Sequence, residues 1–166
     1  MLLVVHYQHA SGAVLLGSQV GDGFIQGLMQ DGTTQRFGTP DSGKFSGEVS
    51  CFLPEVNAVE KAYKIFRIPH EKLQTLLLCT DGIEDAFFPI EKAAEGLFRQ
   101  LNNGVQQKLD EFDAQKVHGP ILGTLTDLVA LQAWLDFEKR GENDDRTVLV
   151  LHRQQSVSTP PVIAPG

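Results

Sequence analysis

Five aspartates lie where a chain can put carboxylates to chemical use: Asp22, Asp81, Asp85, Asp144 and Asp145. Asp22 sits between two glycines in a strand-flanked Gly-Asp-Gly. Asp81 ends the apolar run of LLLCTDGIED, residues 76–85, and Asp85 follows four residues later. Asp144 and Asp145 directly precede the apolar segment RTVLVLH, residues 146–152. Carboxylates presented at three separate strand junctions are how hard cations such as Mg2+ or Mn2+ are held. A strand end is backed by rigid backbone yet faces solvent, which suits a metal ligand or a catalytic group. If Gly82 begins a helical turn, Asp81 and Asp85 share one side of it. The plainer alternative is that Asp81 only caps that turn.

Other chemistries lack their residues. His6, His9, His70, His118 and His152 are scattered, so a His-rich zinc site is disfavoured and each reads as a surface or packing residue. Cys51 and Cys79 fit no metal-finger spacing, and Cys79, inside an apolar run, reads as a small core residue. There is no nucleophile elbow, P-loop or dinucleotide fingerprint, and no Lys-Ser/Thr follows Gly21-Asp22-Gly23 to make it a phosphate loop. Thr80 reads as a turn hydrogen-bonder, since no base is evident beside it. Arg146, next to a loop aspartate, is expected to point to solvent, and Trp134 to lie in the core.

The elements that must position these carboxylates follow from hydrophobic period. Leu2–Tyr7 and Ala13–Val20 read as two strands of a hairpin around His9–Gly12. Glycines on both sides of Asp22 suggest a bulge or a close backbone approach before FIQGLM, residues 24–29. Asp31-Gly32 supplies a hairpin turn into Thr33–Phe37. Residues 38–47 have loop composition; Glu48–Leu53, Ala62–Ile68 and Leu73–Cys79 read as strands. From Glu91 the period changes: Ala94, Leu97, Phe98, Leu101, Val105 and Leu109 fall on one helical face, with Asn103-Gly104 able to split or kink it. Residues 110–120 read as a polar connector. A second helix is expected from about Thr124 to Lys139, stopped by Gly141. The unbroken VLVL of the last strand suggests burial on both faces.

The bounds agree with one folded unit. The chain has 166 residues, 42% hydrophobic, enough for a single core. A formal charge of −7 argues against nucleic acid or an anionic membrane as partner. Two cysteines point to a reducing compartment. No run reaches transmembrane length and no signal-peptide pattern opens the chain, so the expectation is a cytoplasmic protein. Residues 1–152 form the expected domain, and residues 153–166, rich in Pro and Ser, an expected disordered tail.

LLLCTDGIED followed at a distance by GENDDRTVLVL resembles the last two signature motifs of the metal-dependent type 2C (PPM) protein serine/threonine phosphatases. SQVGDGFIQGLMQDG is similar to that family's Gly-Asp-[Ser/Gly] hairpin, and SGEVSCFL to a further segment between hairpin and strand. The resemblance spans residues 1–152. It implies an α+β fold, a sandwich of antiparallel sheets flanked by helices. It implies that Asp81 and Asp144 are ligands of a binuclear centre and that Asp22 and Asp85, with Asp81, hold a weaker third metal. Asp145 would steer its turn, Gly82 would permit a tight turn, and Thr147 would satisfy hydrogen bonds there. The implied reaction is attack of a water activated by Mg2+ or Mn2+ on a phosphoserine or phosphothreonine of a protein substrate.

The family's first half also carries an acidic residue, a metal-bridging Asp-Gly and a phosphate-gripping Arg. Residues 1–21 contain no Asp, Glu, Arg or Lys that could stand in. The expectation is therefore an N-terminally incomplete phosphatase domain, a fragment with weak metal binding and low activity alone, leaving apolar surface exposed around Leu2–Tyr7. The alternatives are a non-catalytic phosphatase-like binding module and, less favoured, a von Willebrand A-type domain. The latter needs an upstream Asp-x-Ser-x-Ser loop that this chain lacks.

Overall fold

A computed structural model describes residues 1–39, 64–87, 89–103, 105–108, 115–118, 121, 128–137 and 144–153. The expected strand Glu48–Leu53, Cys51, most of the loop 38–47 and the tail from residue 154 lie outside the described residues. The elements are β1 (Leu2–His9), β2 (Gly12–Gln19), β3 (Phe24–Met29), β4 (Thr34–Phe37), β5 (Lys64–Ile68), β6 (Leu73–Cys79), α1 (Asp81–Glu84), α2 (Ile90–Asn103), β7 (Val105–Lys108), β8 (Gln115–His118), α3 (Leu128–Leu135) and β9 (Val148–His152). The fold is mixed α+β, with every strand pair antiparallel.

The described strands sort into three sheets. One has the order β1-β2-β5, a second β4-β3-β6-β9, and β7 pairs β8 separately. The β1–β2 hairpin turns through Gly12 and β3–β4 through Gly32, both at positive φ, where only glycine is unstrained. Asp22 does not sit in a bulge or a hairpin: β2 and β3 belong to different sheets, so Gly21-Asp22-Gly23 carries the chain from one to the other. The alternative that the glycines mark a close approach is what the structure shows. A Cβ on Gly23 would stand 2.6 Å from the Cys79 carbonyl oxygen.

Alternation places the core. Leu15 and Ile68 of the first sheet share a cluster with Ile25, Phe37, Leu73 and Leu76 of the second. The opposite face of the second sheet, through Phe24, Leu28 and Leu77, packs on Ile90, Leu97, Phe98 and Leu101 of α2 and on Trp134 of α3. Full burial of each such side chain is worth about 1.5–3 kcal/mol. The outward residues of the first sheet, Leu3, Val5, Tyr7, Leu16 and Ile65, remain exposed among the described residues.

Three expectations change. The first long helix does not run on to Leu109. It ends at Asn103 and 105–108 form β7, so of the split or kink expected at this point the split is what is seen. Part of the expected connector, Gln115–His118, is β8. The last strand is not buried on both faces: among the described residues β9 is an edge strand, with Val148 and Val150 half-buried against the helical layer and Leu149 and Leu151 exposed. The second helix covers Leu128–Leu135 of the expected span, and Asp136 and Phe137 already lie outside it. No helix among the described residues is long and apolar enough to cross a membrane.

Candidate functional site

β6 and β9 are neighbours in register Cys79↔Val148, so the chain leaves one strand beside the point where it enters the other. Thr80 ties these ends together. Its amide donates to the Thr147 carbonyl at 3.1 Å, its hydroxyl donates to the Asp145 carbonyl at 3.1 Å, and its oxygen accepts the Thr147 amide at 2.9 Å. Gly82 lies against the same backbone: a Cβ there would meet the Asp145 carbonyl oxygen at 2.6 Å and Asp144 backbone at 3.2 Å. Asp81 and Asp144, distant in sequence, are thereby brought to adjacent strand ends. Each carboxylate is oriented by the next amide, Gly82 N–H to Asp81 at 2.9 Å and Asp145 N–H to Asp144 at 2.8 Å.

Asp22 reaches the same end from the other side of β6, since Phe24 pairs Cys79. Gly21 turns at φ 97°, and the buried Gln19 side-chain amide donates to the carbonyls of Gly21 and Gly23, bracketing Asp22. Asp85 follows α1 in a short 3-10 turn over Asp85–Phe87 and is exposed. A cavity of about 290 Å³ opens here, lined by Asp22, Asp81, Thr80, Thr147, Leu2 and Leu149 among others.

Partial burial raises the Asp81 carboxyl above the usual carboxylate range. The Asp22 charge adds to this, the Gly82 amide opposes it, and Asp144 and Asp85 add smaller increments. Three carboxylates thus act on a fourth with no nearby cation among those causes, a donor set that favours a hard divalent ion. The set is spread out, however. Among the described residues no three His, Cys, Asp or Glu side chains come close enough together to hold an ion. The arrangement is an acidic face with converging charge, not a closed cage. Cys79 beside it is buried and unbonded to another cysteine, and burial pushes its thiol well up, so it is inert packing.

The structure therefore brings Asp22, Asp81, Asp85 and Asp144 to one end of the second sheet. Asp145 contributes backbone: its amide holds Asp144 and its carbonyl takes the Thr80 hydroxyl. Thr147 likewise acts through its backbone amide and carbonyl. Gly82 is required for a different reason from the expected tight turn. It has helical conformation, and what excludes a side chain is the approach of the 144–145 backbone. Arg146 does not point to solvent. It donates to the Leu135 carbonyl at 3.1 Å and to that of Phe137, with its guanidinium 3.8 Å over the Phe137 ring. The end of α3 carries unpaired carbonyls, and this arginine serves them.

Sequence reasoning missed Gln19 and Arg36. Arg36 of β4 forks onto Glu84 at 2.7 Å and Glu91 at 3.2 Å, and lies 5.9 Å over Phe24, fastening α1 and α2 to the sheet. A glutamine ending an apolar strand was the only visible signal for the first. A lone arginine in a short strand carried none for the second.

A family model described as protein phosphatase 2C matches residues 1–115. That span includes Asp22, Asp81 and Asp85 and stops short of Asp144. No curated protein and no solved structure matches the chain.

Proposed function

From the premise that this chain belongs to the protein phosphatase 2C family, we propose that it is a metal-dependent protein serine/threonine phosphatase module. In this reading its two mutually packed sheets are the β-sandwich of that fold. Asp81 and Asp144 would hold a divalent ion, Mg2+ or Mn2+, with Asp22 and Asp85 contributing to a weaker position. The supporting observation is that the β6–β9 register and the Thr80 bonds bring Asp81 and Asp144 to adjacent strand ends, where partial burial and neighbouring carboxylates raise the Asp81 carboxyl. When bound, the ion supplies an acidified water and charge neutralisation of a phosphoryl group.

The chain's own residues do the positioning. One oxygen of Asp81 and one of Asp144 are held by adjacent amides, which directs the other oxygen of each. Thr80 keeps the two strand ends in register, and Gln19 sets the turn that presents Asp22. Phosphoserine or phosphothreonine of a protein is the proposed substrate. The spread of the carboxylates supports weak metal binding and low turnover by this chain alone.

The test is thermal unfolding with and without millimolar Mn2+, paired with p-nitrophenyl phosphate turnover. Mn2+ is expected to raise Tm in the wild type and not in Asp81→Asn, with slow turnover. Fast turnover abolished by Asp81→Ala would overturn the low-activity reading. The same spread of ligands supports a second reading, a phosphatase-like binding module. Calorimetric titration with a phosphopeptide separates them: binding without any Mn2+ effect supports the module.

A further inference from the structure

The far end of the second sheet holds a different chemistry. Where β6 begins, a second cavity of about 200 Å³ is lined by His6, His70, Gln74, His152 and Arg153 over an apolar floor that includes Leu15 and Leu151. Three of the chain's five histidines meet here, in a protein of net charge −7. We infer that this cleft binds a small oxyanion of the phosphate or sulfate type, at a site separate from the aspartate face.

The donors are pre-set. The His6 and His70 rings stack with centroids 5.2 Å apart at 26°. His152 Nδ1 lies 2.8 Å from the Thr75 hydroxyl, which fixes that ring and leaves Nε2 for a ligand. Arg153 is pinned by Nε to the Leu73 carbonyl at 3.1 Å and by Nη2 to the His70 carbonyl. Two of its five N–H groups are used, and the planar guanidinium keeps the rest for an oxyanion. No carboxylate lines the cavity among the described residues. The turn beside it carries Glu71 and Lys72, and Glu71 is 3.6 Å from Arg67 of β5. β2 and β6 contribute no charged group to the lining.

An anion fits this lining better than a cation, because the Arg153 guanidinium is always charged and the ring nitrogens stand beside it. The volume is below the roughly 300–1,000 Å³ of drug-sized pockets, so the ligand is small. Burial holds His70 below the ordinary imidazole range, with Arg153 and His6 adding to it and Glu71 opposing. Burial does the same to His152. An anion favours the charged imidazoles, so binding takes up protons and tightens as pH falls.

The probe is sulfate, whose charge is constant across the range used, titrated calorimetrically into the full chain with EDTA present. Histidine side-chain NMR is recorded alongside. Binding is expected to be several-fold tighter at about pH 5.5 than at about pH 7.5, with His6, His70 and His152 resonances shifting. His6→Gln, at an exposed ring, is expected to weaken it by about ten-fold while leaving Tm unchanged. No binding, binding indifferent to pH or to His6→Gln, or shifts confined to residues near Asp81 would each overturn the assignment. Because no divalent ion is present, the outcome does not depend on the phosphatase reading.

Discussion

Gly82→Ala and Gly96→Ala make the same chemical change in two helices, and the surroundings set opposite signs. In α2 a Cβ on Gly96 would meet, among the described residues, only the flexible tip of Arg99, at 3.8 Å. That substitution should gain helix propensity, about 0.5–1 kcal/mol. In α1 a Cβ on Gly82 would stand 2.6 Å from one backbone oxygen and 3.2 Å from further backbone of Asp144. Neither neighbour can swing away, because both belong to the segment that Thr80 ties to the β6–β9 ladder. Overpacking of this kind costs about 1–3 kcal/mol. The helix gain is smaller at the second residue of a four-residue helix, so Gly82→Ala should lose about 1–2 kcal/mol net. At roughly 2–4 °C per kcal/mol for a chain of this size, the two variants should differ in Tm by about 3–12 °C. Urea denaturation at constant m-value gives the same difference as free energy. The Mn2+-induced rise in Tm should also shrink in Gly82→Ala and persist in Gly96→Ala. Equal shifts of the same sign in both variants would refute the claim that this glycine exists to let two backbones meet.

Further outcomes follow from the same contacts. Thr80→Val deletes the hydroxyl that bridges Asp145 and Thr147 and should cost about 1–2 kcal/mol in urea unfolding, with loss of the Mn2+ effect. Arg36→Ala releases Glu84 and Glu91 and should destabilise by about 1–2 kcal/mol, nearly all through the Glu84 arm, since Glu91 is 64% exposed; a double-mutant cycle with Glu84→Gln measures that share. His70 and His152 titrate lower in the folded chain than unfolded, so the unfolded state binds protons first on acidification. The stability they permit is full above the ordinary imidazole range and is lost as pH falls through it. His152→Gln should flatten that limb in a Tm-versus-pH series.

The sequence alone determined the local pieces here. Alternating apolar residues made the early strands legible, the face Ala94-Leu97-Phe98-Leu101 made α2 legible, and LLLCTDG announced a strand ending in a carboxylate. It also offered Asp22, Asp81, Asp85 and Asp144 as one candidate set. What it could not supply is which strand lies beside which. That pairing decides that Asp81 and Asp144 share an end, that Gly82 is needed for approach and not for its turn, and that β9 is an edge. Arg146 on the end of α3, Arg36 across two helices and three histidines in one cleft are likewise invisible along the chain. The reason is physical: hydrophobic period and turn chemistry act over a few residues, whereas a site is made by side chains whose separation is set by sheet order and packing.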